Sequence, residues 1–130
     1  VATLTLTLLS GAVENETADF ALRLAQSALD QGHRINLFLL GNASYLANQE
    51  VPFQGDKGLT PELAAYMDSF RLTGRIEDLA KAGAVIHTCH TTEYARGVEG
   101  CPYLAGVSRG NVGVSWTKFL MTSDLALTLG

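Results

Sequence analysis

Leucine and threonine alternate through residues 1–9, with Leu4, Leu6 and Leu8 set against Thr3, Thr5 and Thr7. A period of two sends the leucines to one face of a strand and the threonines to the other. Residues 10–14 then turn the chain, and the period changes. Ala18, Ala21, Leu22, Ala25, Ala28 and Leu29 recur three and four residues apart, which predicts a helix over 16–30. Asn15 suits its N-cap, Glu14, Glu16 and Asp19 suit its positive end, and Gly32 closes it.

Residues 35–40 form an apolar run interrupted only by Asn36, as in a strand covered on both faces. Over 41–58 no period persists, although 43–47 could make one helical turn; connections this long often carry lids or subunit contacts. Thr60-Pro61-Glu62 opens the next helix, with threonine as cap and proline in the first turn, and Leu63, Tyr66, Met67 and Phe70 give it an apolar face. Thr73-Gly74 is read as a break, followed by a helix over 75–82 that ends at Gly83. A short buried strand is expected at 84–88, a short helix at 91–96 closed by Gly97, and a loop over 99–110 with a strand at 103–107. The chain finishes with a helix over 112–122, carrying Trp116, Phe119 and Leu120, and a strand over 125–129.

Strands that alternate with helices, through connections too long for hairpins, imply parallel pairing. The expected fold is therefore a three-layer α/β domain spanning 1–130, with a mostly parallel sheet of about five strands and helices on both faces. At 130 residues, 47% hydrophobic and 17% charged, the chain can bury one sizeable core. A net charge of −4 with no basic cluster argues against nucleic acid as a partner. No run reaches the length of a membrane span, and no leader-like segment opens the chain, so the expected setting is the cytoplasm. Two cysteines are too few for a disulfide scaffold, and in a reducing compartment both would be free thiols.

Composition excludes classes; Cys89 suggests chemistry. It sits where the 84–88 strand passes into the short helix, at the carboxyl edge of the predicted sheet, where α/β folds place their sites. Thiolate is the reactive form of cysteine, and unpaired helix N–H groups favour an anion there. His87 and His90 flank the thiol, and a protonated imidazole would favour thiolate further. Arg96 lies seven residues on, about 10 Å along the same helical face, with a side chain inclined back toward the helix start. A cysteine in such a domain is nevertheless, in general, a small buried hydrophobe before it is a nucleophile.

The apolar strand, Cys89, six residues and Arg96-Gly97 together resemble the DsrE/DsrF-like sulfur-relay family, in its YchN-like branch. The helix after the first strand, the Leu37-Phe38-Leu39-Leu40 strand, the helix closing at Gly83, Gly106-Val107 and Thr122-Ser123-Asp124 before Leu127-Thr128 follow the family's order. The resemblance implies a flavodoxin-like, DsrE-like fold and a small cytoplasmic sulfurtransferase that carries sulfur as a cysteine persulfide. Cys89 matches the sulfur-carrying nucleophile, with His87, His90 and Arg96 as candidate tuners of its pKa. Sulfur donor and acceptor proteins are the implied partners, no cofactor or metal is required, and the assembly is a homo-oligomer, trimer or hexamer. The family also includes subunits without a competent cysteine, so the alternative is a non-catalytic oligomeric protein that binds a ligand or partner on the same scaffold.

Two features depart from that pattern: the imidazole-rich flank of Cys89, and Cys101 before Pro102. Cys101 is read first as a bystander, then as a resolving thiol or a second sulfur site. Zinc on His87, Cys89, His90 and Cys101 has suitable donors but poor spacing, since adjacent Cys89 and His90 point apart in an extended segment. The Ser10-Gly11-Ala12 turn lacks the basic residues a phosphate would need, and Glu14 and Glu16 crowd it. Glu93 and Tyr94 could each supply a proton or a hydrogen bond, but solvated surface and packing are the default readings. His33 is read as a helix C-terminal dipole partner or a solvated residue, and Trp116, Phe119 and Met121 as core or subunit interface.

Overall fold

Five strands, β1 (Thr3–Leu8), β2 (Arg34–Leu39), β3 (Val85–Cys89), β4 (Val107–Gly110) and β5 (Leu125–Leu129), form one sheet in the order β4-β3-β2-β1-β5. Every neighbouring pair is parallel. The structure is a computed structural model that describes residues 1–11, 16–48, 60–68 and 71–130, with the side chains of residues 67 and 68 left aside. Parallel neighbours cannot be joined by tight turns, so helices carry the chain back between strands. They are α1 (Glu16–Asp30), α2 (Pro61–Asp68), α3 (Thr73–Lys81), α4 (His90–Ala95) and α5 (Thr117–Thr122), with a 3-10 segment at Gly41–Ala47 and a π-type turn at Val112–Trp116.

The two faces of the sheet differ in chemistry because β1 alternates. Leu6 and Leu8 join Leu37, Leu39 and Ile86 on one face, where Ala18, Ala21, Leu22 and Ala25 of α1 and Ile76 and Leu79 of α3 bury them in the main core. The opposite face carries Thr5 and Thr7 of β1, Asn36 and Phe38 of β2, and His87 and Cys89 of β3. A smaller cluster forms there from Phe38, Cys89 and Phe119, with Leu40 and Trp116 packed against it. The three layers are thus α1 and α3, the sheet, and the short helical stretch before β5.

Several expectations shift. The strand expected at 103–107 lies at Val107–Gly110, because Gly106 turns the chain at φ 87° and Val107 enters the sheet opposite Ile86. Tyr103 makes only an isolated antiparallel bridge to Asn48. Thr73 and Gly74 begin α3 rather than break it, with buried Leu72 fixing the start. Thr60 does cap α2, accepting from Leu63 N at 3.2 Å, but Leu63 and Tyr66 are 44% and 61% exposed, so its apolar face is not buried there. The helical turn expected at 43–47 extends over Gly41–Ala47. The single helix expected at 112–122 is a π-type turn followed by α5. His33 bonds the end of α1 through its N–H, which donates to Ala28 O at 3.0 Å, while its Nδ1 accepts from Ala2 N at 3.1 Å and ties down the start of β1. Asn15 and Glu14 at the start of α1, residues 49–58 of the long connection, the side chain of Met67, and Phe70 lie outside the described residues.

Candidate active site at Cys89

Cys89 is the last residue of β3 and the N-cap residue of α4, with extended backbone (φ −72°, ψ 115°). All strands being parallel, it stands at the carboxyl edge of the sheet, level with Gly110 of β4. Its carbonyl accepts from Thr92 Oγ1 at 3.1 Å, which fixes the first turn of α4. The helix starts at His90, one residue earlier than expected, and ends in a Schellman motif. Gly97 N bonds Tyr94 O and Val98 N bonds Glu93 O, with Gly97 at φ 67°, a conformation that glycine adopts without strain.

Cys89 is 2% exposed, clustered with Phe38 and Phe119, with Leu40 and Trp116 packed against that cluster. A sulfur carrier needs its thiol accessible, and here Cys89 is enclosed. Its concealment comes from α5, on the far side of β4 in sequence.

His87 shares the sheet face of Cys89, two residues back along β3. Its ring lies 4.9 Å from that of Phe119, and its buried Nδ1 has no hydrogen-bond partner. Burial, and secondarily the charge of Lys118, hold its pKa below 6.5, so the imidazole is neutral at pH 7. A protonated His87 beside the thiol is therefore replaced by a neutral one, able to accept a proton. His90 follows Cys89 directly, its ring 4.6 Å from that of Tyr94, and its buried Nδ1 is likewise unpartnered.

Arg96 caps the far end of α4, where its Nε donates to Asn42 Oδ1 at 2.8 Å. Through this bond its guanidinium is tied to the Gly41–Ala47 segment. Cys101 is half-buried in the turn after α4, its N–H bonded to Val98 O at 3.1 Å, and both cysteines are free. Gly11 packs against Leu46, so the turn after β1 abuts the 3-10 segment.

For Glu93 the packing reading holds and the surface one does not: it is 0% exposed, its Oε1 accepts from Tyr103 Oη at 2.7 Å and its Oε2 has no partner. Tyr103 in turn accepts from Arg109 Nε at 3.3 Å, and burial, ahead of these opposed contacts, raises the phenol above its ordinary pKa of 10.0. No local signal marks Glu93, because the residue that hydrogen-bonds it comes from the next loop. Among the described residues no group of three or more His, Cys, Asp or Glu could hold a metal ion, so His87, Cys89, His90 and Cys101 do not converge as zinc ligands. Nor, among these residues, is any helix long and apolar enough to cross a membrane.

A family model, that of the DsrE/DsrF-like family, matches residues 4–113, a span from β1 into the turn after β4 that includes Cys89, Arg96 and Cys101. No curated protein matches the chain. Among solved structures, the YchN protein from E. coli is similar at a TM-score of 0.68 and 22% identity, over 97% of this chain and 98% of that one. A conserved protein of unknown function from Bacteroides thetaiotaomicron, BT1422, is similar at a TM-score of 0.56 and 15% identity, over 98% of this chain and 94% of that one. At such identities these two likenesses bear on the fold.

Proposed function

The chain belongs to the DsrE/DsrF-like family, and on that premise we propose that it is a sulfurtransferase carrying sulfane sulfur on Cys89. The observation that carries this reading is the place of Cys89: the final residue of a central parallel strand, at the strand-to-helix junction, between two histidines. The Cys89 thiolate attacks the outer sulfur of a donor persulfide. The donor's S–S bond breaks, the donor leaves as a thiolate, and Cys89–S–SH forms. An acceptor thiolate then attacks that outer sulfur, and Cys89 leaves as thiolate. One sulfur atom moves and no external oxidant or reductant is consumed. Neutral His87 takes up the proton that Cys89 loses. Donor and acceptor are partner proteins, and the working form is a homo-oligomer.

Intact mass after incubation with a small persulfide donor tests this on wild type, Cys89→Ser and Cys101→Ser. A reducible gain of one sulfur, lost only in Cys89→Ser, is the expected result. Loss only in Cys101→Ser would move the role to the second thiol. The alternative is a non-catalytic protein that binds a ligand or partner tail on the same scaffold. In that case no variant gains sulfur, and Cys89→Ser is functionally silent.

A further inference from the structure

Residues 112–124 run across the sheet face that carries Cys89, and their attachment is unusual. Of residues 112–122 only Phe119 is buried, whereas α1 buries Ala18, Ala21, Leu22, Ala25 and Ala28. Val114 and Met121 are 68% and 82% exposed. Its apolar contact is confined to Phe119 and Trp116, and beyond these the segment is held by the threonines of β1. Trp116 Nε1 donates to Thr7 Oγ1 at 2.7 Å. Thr5 Oγ1 donates to Phe119 O at 3.2 Å and is hydrogen-bonded to Ser123 Oγ. Thr3 N donates to Asp124 Oδ2 at 2.8 Å.

The N-terminal end is a π-type turn, with Trp116 N bonded to Asn111 O at 3.1 Å and Asn111 Oδ1 accepting from Val114 N at 2.6 Å. Single turns of this kind often mark functional positions in helices. Hydrogen bonds exchange with water at a small net cost, whereas lifting a helix with a broad apolar face exposes its whole buried area. A cover fastened in the first way opens locally, without global unfolding.

We propose that residues 112–124 are a cover over Cys89, and that the Thr7–Trp116 hydrogen bond is the latch whose opening sets access to the thiol. This rests on the reading of Cys89 as the reacting sulfur, and it reconciles that reading with a thiol that is 2% exposed. Thr7 and Trp116 are positioning residues: they act by placing Phe119 and the Trp116 ring against the sulfur.

Alkylation of the whole protein by iodoacetamide, followed residue by residue by peptide mass mapping, tests the proposal. In wild type Cys89 reacts more slowly than half-buried Cys101. Thr7→Val, which keeps the shape but loses the acceptor, and Trp116→Phe, which keeps a ring but loses the donor, each speed Cys89 about fivefold and leave Cys101 unchanged. The double variant is no faster than either single one, because both remove the same bond. Thr7→Ser retains the acceptor and the wild-type rate. Equal rates for Thr7→Val and Thr7→Ser, or a parallel rise at Cys101 that follows lost global stability, would overturn the latch. Persulfide uptake on the same variants separates the two readings. Faster Cys89 alkylation with no sulfur gained by any variant removes the carrier and leaves the cover. Sulfur gained on Cys89 with identical alkylation rates across the variants removes the cover alone.

Discussion

Tyr103 donates its phenolic hydrogen to Glu93 Oε1 across 2.7 Å, joining the loop before β4 to a carboxylate with no exposed surface. With Oε2 unpartnered, this bond is the only one from a protein group to the carboxylate among the described contacts. Tyr103→Phe therefore leaves a buried carboxyl group unsatisfied, and the expected loss is about 2 kcal/mol in denaturant unfolding. The companion variant, Glu93→Leu with Tyr103→Phe, recovers part of that loss, since removing both polar partners costs less than orphaning one. If Tyr103→Phe is as stable as wild type, the contact is incidental.

His87 gives a second prediction, with a definite sign. Its native pKa lies below the unfolded value of 6.5, so between those two values the unfolded chain binds more protons than the native one. The contribution of the neutral ring is fully present above pH 6.5 and is lost as the pH falls through 6.5 toward the lowered native value. Stability measured from pH 7.5 to pH 5, as wild type minus His87→Gln, should decline in that direction. Lys118→Gln, by removing the secondary cause, should reduce the decline without abolishing it. A difference that stays flat with pH would mean that the ring titrates as it does in the unfolded chain.

What was legible in the chain was what short-range periodicity controls. The buried face of α1 is the one its three- and four-residue spacing predicts, and Cys89 ends a strand because an apolar run meets a helix signal there. Long-range pairing decided the rest. Val107 rather than Tyr103 starts β4 because the register that seats it beside Ile86 is set by β3, and Gly106 packs against Ala80 where a Cβ would come within 2.4 Å. The alternation of Thr3, Thr5 and Thr7 was readable as a strand face, but nothing near them in sequence shows that they hold Trp116, Phe119 and Asp124. The same holds for Glu93 and for the thiol itself, whose enclosure depends on Phe119.

Gly110 illustrates how closely that enclosure is fitted. It stands opposite Cys89 in the sheet, and a Cβ there would meet Ser115 Oγ at 2.9 Å, Ser115 Cβ at 3.0 Å and His87 Cβ at 3.1 Å. Gly110→Ala should cost about 1–3 kcal/mol by overpacking, as followed by thermal unfolding. Because Ser115 belongs to the π-type turn while His87 is held in the sheet, the turn is the part that yields. Cys89 alkylation should therefore accelerate in Gly110→Ala. An unchanged melting temperature would show that the turn accommodates a methyl group without displacement.

Arg96, a candidate tuner of the thiol, supports a prediction of no effect. At about 1.5 Å of rise per residue it stands about 10 Å from Cys89 along α4. Its Nε is also committed to Asn42 Oδ1 at 2.8 Å. Arg96→Gln should therefore leave the pH midpoint of Cys89 alkylation where it is in wild type, while loosening the link between α4 and the 3-10 segment by less than about 1 kcal/mol. His87→Gln, by contrast, removes a proton acceptor from the same sheet face and should alter the rate of sulfur uptake by Cys89. An upward shift of the alkylation midpoint in Arg96→Gln would mean that the guanidinium stabilises the thiolate after all, and that its bond to Asn42 is released when the thiol reacts.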